Sequence, residues 1–308
     1  MTDIIIIGAG PAGLSAAIYA ERAGKSVVLL EAMLVGGQIV NTPEIENYPG
    51  IKNVSGFDFS MALYEQATGL GAEIVYEKAV KIEKPEDGEG HFRVLTESGN
   101  AFEAGAVIIA TGAKNRHLGI DKEEELLGKG ISYCATCDGA FFKGKDVAVN
   151  GGGNTALEDA LFLSNYCSTV YIIHRRDSFR GEPKNLEAVK GKENVQLVLN
   201  STVEKLIGEK ALEAVEVKDK VSGEIREIPV SCLFIAIGQE PDNRAFGDVT
   251  ELDGAGYVAA DESCKTKTPG VFVAGDCRTK GVRQLTTAAS DGAIAALAAC
   301  TYIDTQNV

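Results

Sequence analysis

The sequence predicts an α/β protein built of two Rossmann-like (three-layer ββα) nucleotide-binding domains, the second inserted into the first. Three observations carry this reading. Two glycine-rich fingerprints, Gly8-Ala9-Gly10-Pro11-Ala12-Gly13 and Gly151-Gly152-Gly153-Asn154-Thr155-Ala156, each follow a short apolar run and open a helical pattern. The two units repeat in register: Gly8 aligns with Gly151, Gly10 with Gly153 and Gly13 with Ala156 at one common offset. Between them stands Cys134-Ala135-Thr136-Cys137-Asp138.

The first unit reads as strand Ile4–Ile7, fingerprint, helix over about Gly13–Ala23, then strand Ser26–Leu30. The second reads as strand Asp146–Val149, fingerprint, helix over about Thr155–Asn165, then strand Thr169–Ile173. Two further apolar runs end in turns, Ala106–Gly112 and Leu233–Gly238, and each can close one domain. The chain is expected to cross between domains near Ala113–His117 and Gln239–Phe246. This gives a first domain of residues 1–115 and 245–308 and an inserted domain of residues 116–244. Gly270–Asp276 and a helix from about Leu285 to Tyr302 complete the first domain. Pro85–Gly90 and Lys218–Arg226 are polar and read as hairpin tips.

The chain has 308 residues, enough for two domains with full cores. Its net charge of −14 argues against nucleic acid or anionic membrane as a partner, since both need basic patches. No apolar run approaches the roughly 20 residues that span a bilayer. The first strand follows Met1-Thr2-Asp3 at once, which leaves no room for a signal peptide. Seven cysteines in a chain of this length are not a secreted disulfide framework. A cytoplasmic enzyme with one redox pair is expected.

The fingerprints imply ligands. A tight glycine turn after a strand lets backbone approach a pyrophosphate seated on a helix N-terminus. In the first unit Gly8, Gly10, Pro11, Ala12 and Gly13 form the turn, and Glu31 ends the next strand. An acid there accepts hydrogen bonds from ribose hydroxyls and repels a 2′-phosphate. The second unit offers Gly151, Gly153, Asn154 and Thr155, then a basic cluster of His174, Arg175, Arg176 and Arg180 where the first has its acid. Guanidinium groups grip a phosphate in bidentate fashion, which favours NADPH over NADH.

A C-x-x-C pair is either half a zinc site or a redox couple. The other cysteines, at 167, 232, 264, 277 and 300, stand singly, and the three histidines have no ligand spacing, so no metal is expected. As a redox couple, one thiolate attacks a disulfide and the other resolves the mixed intermediate. Asp138 can move protons to and from the thiols or cap a helix. Cys277 reads as a small buried residue.

On these residues the chain resembles the low-molecular-weight, bacterial-type thioredoxin reductases, class II pyridine nucleotide-disulfide oxidoreductases, over essentially its whole length. The resemblance rests on Gly8–Gly13 with Glu31, Gly36-Gly37-Gln38, Ile45–Gly50, Ala110-Thr111-Gly112, Tyr133–Gly139, Gly151–Ala156, His174–Arg180, Ala274-Gly275-Asp276 and Arg283-Gln284. It implies FAD in the first site and NADPH in the second, in a homodimer that reduces thioredoxin. It places Gly37, Gln38, Asn47, Ala110, Thr111, Gly112, Gly275, Asp276, Arg283 and Gln284 around FAD. It makes Cys137 the flavin-proximal thiol, Cys134 the thiol that attacks thioredoxin, and Asp138 the proton donor and acceptor. It further implies rotation of the inserted domain between half-reactions, with the crossovers as hinges.

Asn150 before the second fingerprint, Gly181-Glu182-Pro183-Lys184 and Gln239–Asn243 depart from the common pattern. The competing readings are a ferredoxin-fed flavoprotein, a reductase of a glutaredoxin-like or peroxiredoxin-linked partner, and a non-catalytic redox sensor. The second fingerprint and its basic cluster argue against the first of these.

Overall fold

The computed structural model describes residues 1–42, 44–85 and 90–306. It divides into two compact units, Met1–Lys114 with Glu240–Val308, and Asn115–Gln239.

Unit one opens with β1 (Thr2–Ile7), α1 (Pro11–Arg22) and β2 (Val27–Leu30). Four consecutive isoleucines make β1 apolar on both faces, as a central parallel strand requires. Pro11 starts α1, where its missing N–H costs nothing, and Arg22 in the last turn complements the helix dipole. The chain continues through α2 (Gly56–Leu70), β3 (Glu73–Val75), β4 (Ala79–Glu83), β5 (Phe92–Thr96) and β6 (Ala101–Ile109). Ser55 caps α2 by accepting from the Asp58 amide.

A short strand, β7 (Ala113–Asn115), leads into unit two. There β8 (Ile131–Ser132) precedes the one-turn α3 (Ala135–Asp138). Then come β9 (Asp146–Asn150), α4 (Asn154–Leu163), β10 (Thr169–Ile173), α5 (Pro183–Lys190) and β11 (Val195–Val198). An antiparallel layer follows, β12 (Ser201–Ile207), β13 (Ala214–Asp219) and β14 (Ile225–Pro229), before β15 (Cys232–Ile235) returns to the parallel sheet. The strands extend to Asp219 and resume at Ile225, so the hairpin tip is shorter than the expected Lys218–Arg226. The other expected tip, Pro85–Gly90, falls largely on residues 86–89, outside the described residues.

The chain leaves through β16 (Gln239–Pro241), which pairs with β7. Unit one regains the chain at Glu240, earlier than the expected residue 245. The reason is Asn243, fully buried in unit one. Its amide donates to the Gly256 and Cys277 carbonyls, at 3.0 and 2.8 Å, and its oxygen accepts from Thr111 Oγ1 at 2.8 Å. Finally β17 (Val271–Val273) pairs with β6, and α6 (Leu285–Gln306) ends the chain.

The sheet of unit one runs β3-β2-β1-β6-β5-β4, with β17 also on β6. Its strands pair in parallel except where β5 and β4 turn back. Ile4, Ile6 and Ile108 face a core with α1 and α6, while Ile5, Ile7 and Ile109 face Val94, Phe246 and Val258. Unit two repeats the plan. Its parallel sheet β11-β10-β9-β15-β8 packs α4 on one face and the antiparallel layer on the other. Each fully buried Ile or Leu contributes about 1.5–3 kcal/mol, which makes these two-sided sheets the main stabilising element.

Candidate functional site

The two fingerprints are built alike. Gly8 donates its amide to Leu30 O at 2.8 Å, and the Ala110 amide donates to Ile7 O at 2.8 Å. In unit two Gly151 donates to Ile173 O at 3.1 Å, and Ala236 donates to Asn150 O at 2.8 Å. A Cβ on Gly8 would lie 2.4 Å from Ala110 O, and one on Gly151 would lie 2.4 Å from Ala236 O. Each closing strand therefore touches the fingerprint backbone, and only glycine admits the contact. Gly10 and Gly153 are the N-caps of α1 and α4, with no side-chain cap and no acid in the first turn. Both helix starts can receive a phosphate.

In unit one, Glu31 accepts from the Ala9 amide and the Met33 amide, both at 2.8 Å. Its carboxylate is held at the strand end with lone pairs to spare for hydroxyl donors. Gly37 abuts Gly10, Gln38 donates to the Ala113 carbonyl, and Asn47 Nδ2 lies 3.3 Å from Gln284 Oε1. Gly112 has a φ of +67°. Arg283 donates to the Asp276 carbonyl at 3.2 Å and stacks 4.1 Å from the Tyr257 ring centroid. Asp276 Oδ1 is buried without a hydrogen-bond partner, and burial holds this carboxyl above its ordinary pKa. A buried orphan acceptor is costly unless something donates to it. The hydroxyl groups of a flavin side chain are suitable donors, so the residues present fit FAD.

In unit two, the basic cluster and the fingerprint form one structure. Arg180 donates its amide to Gly152 O at 2.8 Å, and Asn154 Oδ1 accepts from the Glu182 amide at 2.6 Å. Arg175, Arg176 and Arg180 are exposed, as phosphate ligands must be. His174 differs from them. It is only 5% exposed, its Nε2 donates to Ser178 O at 3.1 Å, and its ring stacks on Phe179. Burial and the neighbouring arginines push its pKa down, which keeps the ring neutral. Its ring occupies the space a Cβ on Gly152 would need, at 2.1 Å. His174 thus braces the loop that presents the arginines. The site fits a phosphorylated nucleotide.

Cys134 and Cys137 form a disulfide across the ends of α3, with Cα atoms 5.3 Å apart. Ser132, buried in β8, organises this segment. Its hydroxyl accepts from the Cys134 amide at 3.0 Å and donates to Asp138 Oδ2 at 2.6 Å. Burial raises the Asp138 pKa against the opposing effect of that hydrogen bond. The carboxyl therefore keeps a proton to a higher pH than a free aspartic acid. Tyr133, next to the dithiol, donates to buried Glu123 at 2.6 Å, and Glu123 also accepts from the Leu118 and Gly119 amides. Cys137 is exposed and Cys134 half-buried. Ser132 carries no sequence signal beyond adjacency to the C-x-x-C pair, Glu123 carries none, and Tyr133 is marked only as the start of the Tyr133–Gly139 motif. Among the described residues no His, Cys, Asp and Glu cluster could hold a metal ion.

A model of the pyridine nucleotide-disulphide oxidoreductase family matches residues 2–292. The thioredoxin reductase of Helicobacter pylori is 43% identical over 99% of both chains. That of Listeria innocua is 42% identical over 98% of this chain and 94% of its own. The chain belongs to the thioredoxin reductases of this family. Among solved structures, thioredoxin reductase from Streptococcus pyogenes superposes with a TM-score of 0.93 at 38% identity, covering 99% of both chains. The Cys134–Cys137 disulfide fits a redox-active centre of such an enzyme. Among the described residues no helix is long and apolar enough to cross a membrane.

The five remaining cysteines are buried, and burial raises every one of their thiol pKa values, Cys167 to about 11 and Cys264 to about 12. An aromatic disulfide reagent added to the native protein should therefore find no fast thiols before reduction. After reduction it should find only those of Cys134 and Cys137. A third fast thiol would contradict the assignment of one redox pair.

Proposed function

We propose that this chain is an NADPH-dependent reductase of the thioredoxin disulfide, acting as a cytoplasmic homodimer with FAD in unit one and NADPH in unit two. The observation that carries this reading is the Cys134–Cys137 disulfide, closed beside the half-buried Asp138 carboxyl on the unit that bears the second fingerprint. The relatives named thioredoxin reductase support the choice of acceptor.

Bound NADPH and FAD supply a two-electron relay to the disulfide. Two electrons and two protons open the Cys134–Cys137 bond to a dithiol. Asp138 holds and returns a proton there, kept in place by Ser132. Cys134, as a thiolate, attacks one sulfur of the thioredoxin disulfide, and the other sulfur leaves as a thiolate. Cys137 then attacks Cys134 Sγ, re-forms the internal disulfide and releases the second thioredoxin thiol. Arg175, Arg176 and Arg180 select the 2′-phosphate, and His174 and the Gly152 carbonyl hold their loop.

The nicotinamide and the dithiol must each reach the flavin, and both belong to unit two. We infer that unit two rotates between half-reactions about the crossings at residues 114–115 and 239–240. A covalent link that fixes the two units should stop steady-state turnover. Undiminished turnover would contradict the rotation.

The direct test is an anaerobic assay of the purified protein with NADPH and oxidised thioredoxin. The protein should be yellow, bleach with NADPH and reduce thioredoxin, with NADH much poorer. Arg176→Ala with Arg180→Ala should raise the KM for NADPH by on the order of 10–100-fold and leave NADH little changed. A colourless protein, or a yellow one unmoved by either nucleotide, would overturn the reading.

Asp138→Asn should slow turnover by on the order of 10²-fold. The sign of the pH effect follows from the raised pKa. In the wild type Asp138 is the proton donor, so thiol protonation should slow as pH rises through that pKa. In Asp138→Asn this limb of the pH–rate profile should vanish. An unchanged profile would remove Asp138 from proton transfer.

A further inference from the structure

We propose that Asp291, with Arg278 and Lys280, is the positioning residue of the flavin site, fixing the Gly275–Asp276 turn so that the Asp276 carboxylate meets the cofactor; this rests on FAD being the ligand of unit one.

The cluster lies outside both fingerprints. Arg278 is 1% exposed and is among the largest fully buried side chains in the chain. Asp291 projects from α6 and is also buried. Its Oδ2 accepts from Arg278 Nε at 2.8 Å, from Lys280 Nζ at 2.8 Å and from the Gly275 amide at 3.0 Å. Its Oδ1 accepts from Arg278 Nη2 at 2.9 Å, which completes a bidentate pair. The same Nη2 reaches Glu262 Oε2 at 3.1 Å, and Nη1 donates to Thr279 O at 3.0 Å. Burial alone would raise the Asp291 pKa. The hydrogen bonds and charges of Arg278 and Lys280 outweigh it and hold the carboxyl below its ordinary value.

Buried charge of this kind is weak evidence for stability, because desolvation offsets the attraction. A positional role accounts for it better. Gly275 has a φ of +82°, and a Cβ there would meet Ala12 Cβ at 2.8 Å, in the first turn of α1. Gly275 has no side chain with which to hold its own backbone; within the turn, Cys277 Sγ donates to Ala274 O at 3.3 Å. The Gly275 amide is held by Asp291, and the far side of the turn by Arg283, which donates to Asp276 O and to Arg278 O. What remains free is Asp276 Oδ1, buried and without a partner. Asp291 thus clamps the residue before Asp276, whose buried Oδ1 is left for a donor. Ser15 Oγ, donating to Ala289 O at 2.7 Å, ties the same stretch of α6 to the helix that opens the first fingerprint.

The test is FAD affinity, read by quenching of FAD fluorescence as the flavin-stripped full-length chain is titrated. Asp291→Asn keeps the shape and removes the charge; it should weaken FAD binding at least about tenfold. Asp276→Asn should do likewise. If Asp291 acts through Asp276, the double variant should be no weaker than Asp276→Asn alone, within about threefold. A loss equal to the product of the two single effects would show a merely structural role and overturn the proposal, as would wild-type affinity in Asp291→Asn. Should Asp291→Asn fail to fold, Arg278→Lys and Arg278→Met carry the test. The lysine variant, which keeps a cation on Asp291, should bind FAD several-fold more tightly; equal affinities overturn the proposal. A wild-type chain that takes up no flavin removes the flavin reading itself, and the proposal with it.

Discussion

Both units depend on one contact, the approach of a closing strand to the first glycine of a fingerprint. At Gly8 and at Gly151 a backbone carbonyl stands where any other residue would carry its Cβ. That contact lies where one strand ends and the next helix begins. It brings Ala110 and Thr111 beside the first turn and Ala236 beside the second. At the helix starts themselves, Gly10 and Gly153 put no side chain between the first amides and a phosphate. The fold and the nucleotide sites are thus consequences of the same packing, used twice.

On this shared frame the chain places different chemistry. Unit one ends its second strand in Glu31, whose carboxylate is fixed by two backbone amides. Unit two ends the matching strand in His174, a neutral buried ring, and only then presents its arginines. The acid suits a free ribose and the guanidinium groups suit a phosphate, which is the basis on which we propose that the two units take different nucleotides. The dithiol extends the second unit at β8, where a buried serine links the Cys134 backbone to the Asp138 carboxyl.

Much of this was legible in the sequence because it is local. Ile4–Ile7 announces a strand buried on two sides, the glycine spacings announce their turns, and Cys134 with Cys137 announces a redox pair. What was not legible depends on distant partners. Nothing in the run Ile131-Ser132-Tyr133 says that Ser132 faces Asp138 or that Tyr133 reaches Glu123. His174 reads as one more cation beside three arginines, yet stacking on Phe179 and contact with Gly152 bury it. Asp291 sits in a helix of small residues, and its pairing with Arg278 joins parts of the chain that no periodicity connects. The return to unit one at Glu240 lies inside the expected crossover Gln239–Phe246 but ahead of the boundary at residue 245, and Asn243 is bound by hydrogen bonds into that core.

The central claim is that two redox centres, one flavin and one disulfide, work in series on each chain. Anaerobic reductive titration measures this directly. Wild-type protein should take up about two equivalents of NADPH per chain, one for the flavin and one for the disulfide, while Cys134→Ser with Cys137→Ser should take up about one. Equal uptake by the two proteins would contradict the account.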